Sequence, residues 1–215
     1  MILNLGLPKT GTTTLSHALR SAGLRTADWK LRPAQTDDPD LRDVFVGEIL
    51  YGDYFAHGDP LRRLSGFDAI TEMNALGPHG NYWPQTDWAL LDAIRTRHPD
   101  TLFVLSRRDP ASAADSMMRW RSLGTRRMPR HTVPGLPKGW GGTTAELARW
   151  VDGHQRFCDA IFAGSDRYLA YDIEDPEAPQ RIAAFIGRPL PWWGVANANP
   201  APDAAVASDA PSDGD

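Results

Sequence analysis

Residues 6–14 read GLPKTGTTT: two glycines five positions apart, one lysine, and threonines at 10, 12, 13 and 14. Glycine lets a backbone bend until successive N–H groups point at one centre, and such a nest binds an anion, more strongly at the start of a helix. The threonine hydroxyls add donors and Lys9 adds a positive charge. The chemistry this stretch can do is to hold a phosphate-like group. The ATP-binding form of such a loop is G-x-x-x-x-G-K-[ST]. Gly6 and Gly11 have its separation, but Thr12 stands where the lysine belongs, and Lys9 lies two residues before the second glycine. About a hundred residues later the apolar run TLFVLS ends in Arg107 and Arg108. A nucleotide hydrolase places a Mg²⁺-holding aspartate at such a strand end; two arginines disfavour a cation and favour a second phosphate. From 107 to 130 the chain carries seven arginines against two aspartates, and an anionic ligand is the natural match.

These residues must be positioned by secondary structure. Residues 2–6 are a short apolar run suited to a buried strand, and 12–22 space Leu15, Ala18, Leu19 and Ala22 on one helical face before Gly23. Residues 24–42 read as irregular, 37–55 as a helix, and 59–64 as a short turn. FDAITEM (67–73) reads as a strand followed by a loop, NALGPHGNYWPQ, and TDWALLDAIRTRHP as an N-capped helix stopped by Pro99. DTLFVLS is a third strand, after which Asp109 and Pro110 are the N-cap and first residue of a helix. A Pro- and Gly-rich basic loop, a long helix from 143, the strand DRYLAYDIE and a last helix before RPLPWW complete the series. Short apolar strands alternating with helices define an α/β fold with a central parallel sheet flanked by helices. In such a sheet the loop leaving a strand lies at the carboxyl edge, where ligands bind.

Composition sets the frame. The 215 residues are enough for one domain with a proper core. No apolar run approaches the roughly 18 residues that span a bilayer, and MILNLGL is too short for a secretory leader; a cytoplasmic location is expected. The single cysteine, Cys158, falls in an amphipathic stretch and is expected in the core. The last 20 residues hold four of the aspartates and no Lys or Arg, so the −4 net charge resides there and the body is formally neutral. That Ala/Pro/Asp tail is expected to be disordered. The domain is therefore drawn at 1–195 and the acidic tail at 196–215.

In these residues the chain resembles the sulfotransferases that use 3′-phosphoadenosine 5′-phosphosulfate (PAPS). Their 5′-phosphosulfate loop has the form P-K-[ST]-G-T-T, and here Pro8, Lys9, Thr10, Gly11, Thr12 and Thr13 match it. Their second signature is a strand ending in R-D-P with a serine eight residues after the arginine; Arg108, Asp109, Pro110 and Ser116 match in type, order and separation. The likeness extends over about residues 1–193. It implies a P-loop-like fold of the sulfotransferase type and specific roles. Lys9 would bind the phosphosulfate, Thr10 to Thr14 would hold the 5′-phosphate, and Arg108 and Ser116 would read the 3′-phosphate. The family places a His or Glu near the end of the strand before the acceptor pocket; Glu72 of AITEMN occupies that place. His79, in the loop just after, is the competing base, and a structural Glu72 that anchors Lys9 or a loop is the third reading.

Two departures stand out. The aromatic that follows the two threonines in many members is Thr14 here, and their late R-K-G is absent; Arg188 or a basic residue of 119–138 is left as its substitute. Trp120 and Trp150 are expected in the core, Trp83 and Trp88 are placed equally in core or acceptor pocket, and Trp192 and Trp193 are expected to pack the last helix. The basic segment Arg126, Arg127 and Arg130 is solvated, closes over the donor, or meets an anionic acceptor. The histidines show no metal spacing, so no metal is called. A neutral body whose arginines coincide with a phosphate signature argues against nucleic acid. The reading is PAPS-dependent transfer of a sulfuryl group to the hydroxyl of a small-molecule, carbohydrate or lipid acceptor. A nucleotide-dependent small-molecule kinase and a non-catalytic nucleotide-binding protein are the alternatives. Nothing in the sequence speaks to oligomeric state.

Overall fold

A computed structural model describes residues 1–78 and 80–196. The expected acidic tail therefore lies, but for Ala196, outside the described residues. The chain runs β1 (Ile2–Asn4), α1 (Thr12–Ser21), β2 (Thr26–Asp28), α2 (Val46–His57), β3 (Ala69–Glu72), β4 (Ala75–Gly77), β5 (Gly80–Tyr82) and α3 (Trp88–Arg97). It continues with β6 (Leu102–Arg107), α4 (Pro110–Arg119), a single turn α5 (Met128–Arg130), α6 (Thr144–Ile161), β7 (Tyr168–Asp172) and α7 (Ala178–Ile186). Five strands form an all-parallel sheet in the order β2-β3-β1-β6-β7, the α/β architecture the apolar pattern implied.

Alternation along each strand supplies both faces of this sheet. Ile2, Ala69 and Val104 pack with Leu15 and Leu19 of α1 and Ile182 of α7. Their neighbours Leu3, Ile70 and Phe103 point the other way, onto Ile49 of α2, Leu91 and Ile94 of α3 and Cys158 of α6. Cys158 is fully buried, as expected, and its thiol is pushed up to about 12 by burial. A third cluster sits above the carboxyl edge, where Leu7 and Trp83 meet Met117 of α4 and Leu147 and Trp150 of α6. Caps fix the helix starts that matter: Asp109 accepts from Ser112 N at 2.8 Å with Pro110 in the first turn, and Thr143 and Glu146 form a reciprocal capping box.

Three segments differ from expectation. Residues 24–42 hold β2, a three-residue edge strand; Thr-Ala-Asp is too short and polar to register as an apolar run. The helix expected from 37 starts at Val46, because 37–45 form a 3₁₀ turn and extended backbone around Pro39. The loop after β3 contains the antiparallel pair β4–β5, hidden by its glycines. β1 pairs with β3 on one side and β6 on the other. The chain leaves β1 toward β2 and returns across it as β6, so the loops after β1 and β6 diverge at a switch point and open a cleft.

Candidate active site

The stretch after β1 is bent by necessity. A Cβ on Gly6 would lie 2.0 Å from Ser106 Oγ and 2.8 Å from Thr10 Oγ1, so only glycine lets the loop lie against the end of β6. Lys9 (φ 69°) and Gly11 (φ 97°) both adopt the left-handed conformation around Thr10. At Gly11 a Cβ would also strike Ile173 Cδ1 at 2.6 Å. Thr10 holds the turn together: its hydroxyl donates to Leu7 O at 2.7 Å and lies 3.1 Å from Ser106 Oγ. Asn4, polar within the apolar first strand, ties three strands: it donates to Thr71 O (2.9 Å) and accepts from Gly6 N (3.2 Å) and Ser106 N (3.1 Å). Behind it, the Nε2–H of buried His154 donates to Leu5 O at 2.7 Å. Gly11 is the N-cap of α1 and provides no side-chain acceptor for the first-turn N–H groups. That terminus borders the cleft through Gly11, Thr12, Thr13 and Thr14, and it suits an anion rather than a metal.

The end of β3 forms the facing wall. Glu72 accepts from the Thr12 hydroxyl at 3.1 Å and from Asn74 Nδ2 at 3.3 Å, and Gln85 in turn holds Asn74 at 3.0 Å. Burial, reinforced by the nearby Asp28 carboxylate, pushes the Glu72 carboxyl up to about 7 against the pull of Thr12, Asn74 and Lys9. Asp28, held by Thr71 (3.2 Å), is itself raised by burial. Lys9 extends over the ring of Trp120, its Nζ 3.6 Å from the centroid. Burial, with Arg108 and Arg119 close by, lowers the Lys9 ammonium to about 8. The carboxyl and the amine, both displaced mainly by burial, stand in one cleft and feel each other's charge.

The third wall comes from β6 and α4. Arg108 and Ser116 both line the cleft, Arg108 donating to Glu174 Oε1 at 2.9 Å. Arg107 turns to the other side, where it pairs with Asp159, so only one of the two strand-end arginines serves this cleft. Arg119, Arg121 and Arg127 complete the basic side. The cleft encloses about 1070 Å³, room for a nucleotide and an acceptor together. Its far rim is the C-terminal segment Trp193–Ala196: Trp193 packs edge-on to Tyr171, and Ala196 N donates to Thr14 Oγ1 at 3.4 Å.

Lys9, Pro8, Gly11, Thr12, Thr13, Thr14, Glu72, Arg108 and Ser116, separated by up to 108 positions, thus border one space, with Thr10 buried just beneath. His79 lies outside the described residues. Among the described residues no cluster of His, Cys, Asp or Glu is placed to hold a metal ion. Trp120, expected in the core, packs against the Trp83–Met117 cluster and also lines the cleft, where it follows the end of α4 at Arg119 and covers Lys9. Trp83 is both buried (2% exposed) and at the cleft wall, edge-on to the core residue Trp150. Trp88 is 46% exposed and does not border the cleft; nor does the exposed Arg188. Asn4, Asp28, Ser106 and His154 were missed. A lone Asn in ILNLGL was the one readable signal; the others depend on strand pairing and helix docking.

Sheet order, a cleft at the switch point and a glycine-bent loop facing an arginine and a carboxylate define the class: an α/β protein of the P-loop-like type. Within that class, the family described as Sulfotransferase domain matches residues 1–138, the span carrying the loop, Glu72, Arg108 and Ser116. The chain belongs to that family. No curated protein matches it significantly.

Proposed function

We propose that the chain is a PAPS-dependent sulfotransferase acting on a hydroxyl acceptor. The observation that carries this reading is the convergence of Lys9, Glu72, Arg108 and Ser116 on one cleft, with Glu72 hydrogen-bonded to the phosphate loop itself. Bound PAPS supplies an activated sulfuryl group. The α1 N-terminus and the hydroxyls of Thr13 and Thr14 hold its 5′-phosphate, with Thr10 bracing the loop from beneath and Thr12 tied to Glu72, and Arg108 and Ser116 hold its 3′-phosphate. Lys9 would stabilise the negative charge that builds on the bridging oxygen as the S–O bond breaks, and its ammonium is held over the Trp120 ring. Glu72 takes the proton of the acceptor hydroxyl, which is a poor nucleophile until that proton leaves. A carboxyl raised to about 7 is better matched to that task than an ordinary glutamate. Lys9 and Arg108 supply the positive charge that Mg²⁺ supplies in phosphoryl transfer. His79 remains the rival base. Among the described residues no helix is long and apolar enough to cross a membrane.

The test is nucleotide discrimination. Adenosine 3′,5′-bisphosphate at 100 times its Kd adds about 2.7 kcal/mol, a rise of roughly 5–10 °C in Tm for a chain this size. The same rise is expected with EDTA present, and ATP is expected to do little. Stabilisation by Mg-ATP alone would favour the kinase reading.

A further inference from the structure

We infer that Arg121 and Arg127 form a subsite for an anionic substituent of the acceptor, such as a carboxylate, sulfate or phosphate. The inference rests on the donor reading above, which assigns the Arg108–Ser116 end of the cleft to the nucleotide. Arg127 sits beside the Glu72 wall, its Nη1 donating to Leu76 O at 3.0 Å on the strand that begins three residues after Glu72, and Arg121 lies over the Trp120 ring, 5.8 Å from its centroid.

The backbone that presents them is irregular. Arg121 adopts a left-handed conformation (φ 47°), uncommon for a residue with a side chain, and Leu123–Arg127 form a π turn. Packing holds this shape: Leu123 and Met128 are buried, and a Cβ on Gly124 would meet Met118 Sδ at 2.6 Å. Strain kept by packing and aimed into a cleft points to use. Both side chains line the cleft, and Arg121 lies close enough to depress the Arg127 titration together with burial. Among the described residues neither has an ion-pair partner, whereas Arg107, Arg108 and Arg119 pair with Asp159, Glu174 and Asp115. The acids facing the cleft are already engaged: Asp28 by Thr71 and Arg20, Glu72 by Thr12 and Asn74, Glu174 by Arg108. Arg127 is partly buried and Arg121 exposed, and an anion bound between them offsets their mutual repulsion. Arginine forks suit an oxyanion held in two-point contact.

The experiment uses the full chain saturated with adenosine 3′,5′-bisphosphate, titrated with pyrophosphate at constant ionic strength. Wild type is expected to bind the probe, and Arg121→Gly and Arg127→Gln to bind it at least tenfold more weakly, while each variant keeps its nucleotide Kd within threefold. Arg121→Gly suits the left-handed position, so its Tm without ligand should equal or exceed wild type; it carries the test even if Arg127→Gln folds poorly. Absence of probe binding to loaded wild type, or equal binding by Arg121→Gly, overturns the subsite. A tenfold loss of nucleotide affinity in Arg121→Gly overturns it too, by assigning the arginine to the donor. Failure of wild type to bind the nucleotide at all would instead contradict the donor reading.

Discussion

Lys9 and Glu72 are each shifted toward neutrality by burial, and each is partly restrained by the other's charge. Catalysis as proposed needs Glu72 ionised and Lys9 protonated. In the free enzyme the first condition fails below about 7 and the second above about 8. The profile of kcat/KM against pH is therefore expected to be a narrow bell with limbs near those values. Asp28→Asn removes the neighbouring charge that helps raise Glu72, so the acid limb should move to lower pH while the alkaline limb stays. Steady-state rates with wild type and Asp28→Asn across pH 5–10 would check this; an unmoved acid limb would place the titration elsewhere. Which residues border the cleft was largely legible from type and spacing. How they are tuned was not, because Asp28 and Trp120 reach Glu72 and Lys9 only through strand pairing and the end of α4.

At the scale of elements, the strongest local signals survived intact. The glycines of GLPKTGTTT, the Asp109–Pro110 cap and the Thr143–Glu146 capping box are self-contained, and each sits where the sequence put it. β2 and the β4–β5 pair were illegible because Thr-Ala-Asp, Ala-Leu-Gly and Gly-Asn-Tyr carry no apolar run of their own and are defined by their partners. Their omission mattered: β2 delivers Asp28 to Glu72, and β4 anchors Arg127. The two strand-end arginines show the same limit. Arg107 closes β6 and turns to Asp159, while Arg108, one residue past the strand, enters the cleft. The pair was legible in the sequence; the end of the strand separated them.

At the scale of the molecule, the site places two opposed titrations in one fold. Glu72 is raised from 4.5 to about 7, so its contribution to stability is present at low pH and is lost as pH rises through about 7. His154, buried beneath Leu5, is lowered from 6.5 to about 4, so its contribution is present above 6.5 and is lost as pH falls toward 4. Each full swing is worth roughly 3 kcal/mol, with opposite sign over about pH 4.5–6.5, and the two largely cancel. The expected outcome is a shallow wild-type dependence in that window. His154→Gln should become more stable on acidification, in the same direction as the raised Asp28, and Glu72→Gln should become less stable. Urea unfolding at a series of pH values reads all three; parallel curves would contradict the account.

The cleft is proposed to move a sulfuryl group with Glu72 as base. Its most direct test incubates ³⁵S-labelled PAPS and a metabolite extract of the source cells with wild type and with Glu72→Gln. Wild type should yield labelled product, and the variant at least about 100-fold less, while adenosine 3′,5′-bisphosphate raises the Tm of both equally. No labelled product from wild type, or an equally active Glu72→Gln, would contradict it.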